Sequence, residues 1–193
     1  MKTFGVVLQG IIAVAFLFGH TPLQARELAG VDIAQQVTIS GLEKPLQLNG
    51  AGIRYKFFFK VYIGALYLSK VQSNAQEILT GDIPNRIMMH FIYDEVSKEK
   101  LVNAWREGFE NNMEKAELDT LKDRLEKFNN MFSTVHAGDV VLLDYLPGKG
   151  TSVSIKGAEK GVIEGADFNR ALLSVWLGED PVTEDLKEAM LGG

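Results

Sequence analysis

Residues 48–70 read LNGAGIRYKFFFKVYIGALYLSK, a run dense in aromatic and β-branched side chains. Such side chains fit the pleated, half-buried surface of a strand. Gly52 to Lys70 is too long for one ordinary strand, which runs about 5–6 residues. The run therefore predicts two strands joined by a bend or tight hairpin between Lys56 and Lys60. It also contains Arg54, whose guanidinium stays protonated and is costly to bury alone. Strand alternation puts Ile53 and Tyr55 on one face and Arg54 and Lys56 on the other. Tyr62, eight residues on, shares the Arg54 face or meets it across the hairpin. A guanidinium and a phenol among Phe57, Phe58, Phe59 and Val61 can seat a carboxylate beside an apolar tail. An arginine at a sheet edge, or one paired with Glu164 or Asp144, fits the same residues. On residues alone both readings stand.

The segments around this run have clear periods. Val37-Thr38-Ile39, a turn at Ser40-Gly41 and Pro45 to Leu48 continue the strand pattern, and Asn49-Gly50 is a second turn signal. Residues 74–79 predict a short helix capped by Ser73 or Asn74, and 86–93 another strand. Ser97 then starts a helix with Leu101, Trp105, Phe109 and Met113 on one stripe. A second helix aligns Leu118, Leu121, Leu125, Phe128 and Phe132. Three strands over 139–145, 151–155 and 160–164 read as a meander. Asp167 caps a helix that Gly178 ends, and Thr183 starts a last one with Leu186 and Met190. One α+β domain follows, an antiparallel sheet with its helices on one side.

The first 25 residues stand apart from this domain. Lys2, an apolar run from Val6 to Phe18, Thr21-Pro22 and a small residue at Ala25 have the order of a cleaved secretory leader. The expected division is leader 1–25 and domain 26–193, with an exported or periplasmic location. The chain has no cysteine, so the domain is held by its core rather than by disulfides. A net charge of −5 opposes nucleic acid or an anionic surface as general partners, while leaving room for one local basic site.

Enzyme motifs are sparse. His90 and His136 have no cysteine companions and no metal-ligand spacing, so no metal or cofactor is expected. No nucleophile elbow occurs. Pro147 to Ser152, PGKGTS, joins strand to strand and reads as a hairpin turn rather than a phosphate loop. The mixed charges of 107–127 read as solvated helix faces.

Four stretches together resemble the chalcone isomerase-like family, specifically its exported bacterial branch. They are GAGIRYKFFFKVYIGALYL (50–68), VSKEKLVNAWREGFENN (96–112), GDVVLLDYLPGKGTSVSIKG (138–157) and GADFNRALLSVWLGEDP (165–181). The resemblance implies an open-faced β-sandwich: a large antiparallel sheet covered on one face by a helical layer, with a ligand cleft between them. Some family members close chalcones to flavanones. Others bind fatty acids, holding the carboxylate with an arginine and a tyrosine, a pattern that Arg54 and Tyr62 match. Asn103 and Asn169 fall at polar positions of the cleft. The catalytic tyrosine of the isomerases falls on Val96, with Tyr93 three residues away, so no catalytic residue is assigned. The resemblance thus implies a non-catalytic, lipid-binding protein for a fatty acid or similar apolar carboxylate. An intramolecular lyase acting on chalcone-like substrates, and a cell-envelope interaction protein, are the alternatives.

Overall fold

The computed structural model describes residues 26–193, so the leader expected over 1–25 lies outside the described residues. Strands β1 (Arg26–Leu28) and β2 (Val31–Ile33) form a small hairpin, followed by β3 (Gln36–Val37) and the long strands β4 (Leu46–Lys56) and β5 (Phe59–Leu68). Helix α1 (Ala75–Thr80), strands β6 (Asn85–Phe91) and β7 (Glu95–Val96), and helices α2 (Lys98–Asn112) and α3 (Lys115–Asn130) come next. Strand β8 (Val135–His136) leads into β9 (Val140–Leu146), β10 (Gly150–Ile155) and β11 (Ala158–Ile163). Helices α4 (Ala166–Leu177) and α5 (Glu184–Met190) close the chain.

A seven-stranded sheet has the order β11-β10-β9-β6-β5-β4-β3, and its neighbours are antiparallel. This is the expected α+β architecture, a large antiparallel sheet with a helical layer on one face. Strands β6 and β9 alternate strictly between more and less buried residues, as a sheet with unequal faces requires. Central strand β5 is buried on both faces from Val61 to Leu68. Leu66 and Leu68 pack toward the helices with Trp105, Phe109, Phe128 and Trp176. Ile63, Ala65 and Tyr67 pack the other way, under Ile33 and Ile39 of the N-terminal segment.

The helices start where the sequence predicts at three places, Thr183 being the cap position of α5. Asn74 accepts a hydrogen bond from the Glu77 amide at α1, and Ser97 accepts one from the Lys100 amide at α2. At α4 the expectation fails. The cap position is Gly165, with φ 101°, and Asp167 lies in the first turn. Asp167 is drawn there by Arg124 of α3, which donates two hydrogen bonds to it at 2.7 and 2.6 Å.

Asn49-Gly50 is also not a turn. Strand β4 runs straight through it, with Asn49 as a bulge between the pairs Leu48↔Tyr67 and Gly50↔Leu66. Tertiary contacts override the local signal. The Asn49 side chain donates to the Met190 carbonyl at 2.8 Å and accepts from the Gln72 amide at 2.8 Å. Gly50 is needed for close approach, because a Cβ there would lie 2.1 Å from the Ala189 carbonyl oxygen. The pair that reads as a hairpin signal is the docking site of α5.

Candidate functional site

Two bulges set the face of every residue that follows. Before Asn49, Leu46 and Leu48 face the N-terminal segment; after it, Ala51 and Ile53 do. The extra residue reverses the alternation and turns Gly50, Gly52 and Arg54 toward the helices. The second bulge is at Val61, skipped between the pairs Arg54↔Tyr62 and Tyr55↔Lys60. Its carbonyl accepts the amides of both Ile92 and Tyr93. Val61 and Tyr62, adjacent in sequence, therefore join the same helix-side cluster. The cross-strand pairing of Arg54 with Tyr62 expected from the spacing is present in the register.

These residues form the sheet wall of a cleft of about 400 Å³, within the range of small-molecule pockets, roughly 300–1,000 Å³. Met89 and Phe91 of β6 extend that wall, and Leu101, Asn103, Ala104 and Trp105 of α2 form the helical wall. Tyr93 and Val96 also line it. Asn103 is thus in the cleft, on an exposed position of α2. Asn169 is buried in α4 and is not among the lining residues. Helix α4 reaches the cleft through Val175 rather than through Asn169.

The polar groups of the cleft are unevenly satisfied. The Arg54 guanidinium carbon lies 5.7 Å from the centre of the Tyr62 ring, within cation–π range. Its Nε is buried with no hydrogen-bond partner. The two acids that the sequence offers as ion-pair partners do not serve. Asp144 takes two hydrogen bonds from Arg86, at 2.5 and 2.6 Å. Glu164 is exposed on its way from β11 into α4. Among the described residues, no salt bridge is made by Arg54.

Tyr62 is buried, and its hydroxyl accepts a 2.9 Å hydrogen bond from Trp176 Nε1. Burial raises its pKa above the ordinary phenol value, overriding the opposing pull of the Arg54 charge and the Trp176 bond. The group is therefore a neutral phenol at physiological pH. It can donate its proton in a hydrogen bond but does not supply a phenolate base. A second buried donor without a partner is Trp105 Nε1. The sequence reading placed Trp105 on the apolar stripe of its helix and missed this polar edge. A tryptophan indole that wants an acceptor when buried was the available signal.

Other titratable groups stand apart from this wall. His90 lies between Met89 and Phe91 on β6, and alternation turns it to the opposite face; burial lowers its pKa. His136 sits 3.3 Å from Glu95. Among the described residues, no group of three or more His, Asp and Glu side chains converges to hold a metal.

Comparison with known proteins agrees with this fold. A crystal structure of an Arabidopsis thaliana fatty-acid binding protein superposes with a TM-score of 0.69 at 18% identity, covering 87% of this chain and 96% of that one. In sequence, Fatty-acid-binding protein 1 of Arabidopsis thaliana is 23% identical over 123 residues. That match takes in 62% of this chain and 44% of the relative, so it spans less than half the plant protein. The model of the chalcone isomerase-like family matches residues 25–192. With that match over nearly its whole length, the chain belongs to the chalcone isomerase-like family.

Proposed function

We propose that this protein binds a fatty acid, or a similar apolar carboxylate, without transforming it. One observation carries the reading: Arg54 Nε and Trp105 Nε1 are buried donors without acceptors, on residues that line the sheet and helix walls of one cleft. Buried polar groups are nearly always paired, and leaving such a donor unmade costs about 1–3 kcal/mol. A carboxylate supplies up to four acceptor sites and an arginine binds it with short, charge-assisted bonds. The Tyr62 hydroxyl, fixed by Trp176, has a proton to add. Phe57, Phe59, Val61, Met89, Phe91 and Leu101 offer apolar surface to a tail. The binding named for the Arabidopsis relative is of the same chemical class.

An intramolecular lyase is the second reading, and Tyr93 on the cleft wall is the observation it would use. Ring closure needs a titratable group within reach of the reacting proton. The position where the isomerases carry their tyrosine holds Val96, which also lines the cleft and has no proton to move. Assignment to an exported bacterial branch rests on the resemblance of the four stretches within 50–181, and an exported location on the order of residues 1–25. Native mass spectrometry of the purified protein, followed by titration with fatty acids of graded length, tests the main reading. A co-purifying carboxylate and saturable binding are expected. Absence of binding at every chain length, together with accelerated loss of chalcone absorbance, would replace it with the lyase.

A further inference from the structure

The tip of the β4–β5 hairpin has no role in the core. Lys56 pairs with Phe59, so Phe57 and Phe58 form a two-residue turn. Their exposures are 84% and 95%, and that of Phe59 is 58%. Phe57 adopts φ 56°, a conformation that suits glycine or asparagine and disfavours a bulky ring. Turn chemistry does not account for Phe57 and Phe58, and Phe58 is neither buried nor part of the cleft lining. Tyr55 and Tyr93, the next exposed aromatics, stand behind the tip, and Tyr93 packs edge-on to Phe59 at 5.7 Å.

Charge at the tip is opposite in sign to the net charge of the chain, −5. Lys56 and Lys60 stand at its base with Arg54 behind them, and Glu95 and Glu107 are among the other residues lining the cleft that the tip borders. Lys56 and Lys60 flank the three phenylalanines directly. We propose that this tip docks on an anionic lipid bilayer. Phe57 and Phe58 enter the acyl boundary, Tyr55 and Tyr93 sit at headgroup depth, and Lys56 and Lys60 contact lipid phosphates. Aromatic rings with a polar edge favour that depth, and lysines keep their charge at the headgroups while their stems lie along apolar surface.

The shape favours lipid over a protein partner. A stable protein interface buries about 800 Å² on each side, and a two-residue turn flanked by two lysines offers far less. A fluid surface closes around such a point without a matching pocket. The tip is also continuous with the cleft, since Phe57 and Phe59 line its mouth. Docking would therefore open the cleft toward the hydrocarbon and let a single-chain carboxylate pass between bilayer and protein. The hand-over rests on the proposed fatty-acid reading; the docking does not.

Co-sedimentation with phosphatidylcholine vesicles, with and without phosphatidylglycerol, tests the proposal. Wild type is expected to sediment with the anionic vesicles and to be released by high salt. Phe58, outside the cleft lining, gives the cleanest variant: Phe58→Ser should weaken vesicle binding about tenfold or more. Lys60→Gln should weaken it about fivefold. Both should keep the wild-type melting temperature and, in vesicle-free buffer, the wild-type affinity for a soluble fatty acid. No vesicle binding by wild type, equal binding to neutral vesicles, or wild-type binding by Phe58→Ser would each overturn the docking. Loss of free fatty-acid binding in folded Phe58→Ser would place the tip in the ligand site and overturn it as well. Vesicle binding without any fatty-acid binding would leave the docking standing and remove the carrier reading.

Discussion

The two ends of the β4–β5 pair present the same face to the helical layer and treat it in opposite ways. At one end, Gly50 and Gly52 bring the backbone against α5, and a Cβ on Gly52 would fall 2.6 Å from the Ala189 side chain. The helix closes that end, clamped by Asn49 on the Met190 carbonyl. At the other end, Arg54 and Tyr62 occupy the equivalent positions, and a cleft of about 400 Å³ separates sheet from α2. Side-chain size sets the spacing between layers, because interiors pack to near-crystal density and tolerate little overlap. Small residues make a seal and large polar ones hold the layers apart. A stretch that looks uniformly apolar thus contains a structural half and a binding half.

The largest effect is expected from breaking the sealed half. Gly50→Val adds three carbons where the Ala189 backbone already is and should destabilise the fold by about 3 kcal/mol, read from urea unfolding. A smaller loss than about 1 kcal/mol would mean that α5 docks loosely. At the open half the same experiment should give the opposite result. Arg54→Ala removes a poorly satisfied buried donor, so stability should hold, while fatty-acid affinity falls about 100-fold, the scale of a charged hydrogen-bond pair. Unchanged affinity by calorimetry would remove Arg54 from the site.

Two milder variants sharpen the division of labour in the cleft. Trp105→Phe keeps an aromatic ring against Phe128, Phe132 and Trp176 and deletes the unpartnered donor. It should weaken ligand binding about fivefold with little change in melting temperature, whereas a purely structural Trp105 would show the reverse. Tyr62→Phe strands the Trp176 donor as well. It should lose about tenfold in affinity and about 1 kcal/mol in stability together.

The smallest effect lies far from the cleft. Hydrogen bonds from Arg124 hold the Asp167 carboxyl below its usual range, with desolvation opposing. A lowered folded-state value means that the stabilisation is present above the unfolded value, about 4, and fades as pH falls through the folded one. The pair is partly exposed, at 31% and 45%, so the contribution is modest. Asp167→Asn should lower the melting temperature slightly at neutral pH, and the gap to wild type should close below about pH 4. A gap that persists in acid would assign the loss to packing instead.

Legibility in the sequence followed the range of the interactions. The two helical stripes and the meander were readable because a 3.6 or 2.0 period is local and repeats over many residues. So was the hairpin between Lys56 and Lys60, and with it the pairing of Arg54 with Tyr62. Asn49-Gly50 and Asp167 were misread for one reason. Each carries a strong local signal, for a turn and for a cap, and each is claimed by a distant partner, Met190 in one case and Arg124 in the other. Asn169, expected in the cleft from its place in the segment, is buried in α4 and outside the cleft lining.

The sequence by itself determined the class of fold, the family, and the presence of an arginine and a phenol on one hairpin. Period and composition are properties of neighbours in the chain, and they survive without coordinates. Only the tertiary structure decided which face Arg54 occupies, since one extra residue at Asn49 reverses every side chain after it. Only the packed molecule shows that Asp144 belongs to Arg86 and that Arg54 Nε and Trp105 Nε1 are left without acceptors. Satisfaction of a buried polar group is a property of its whole surroundings, and those are assembled from residues far apart in sequence.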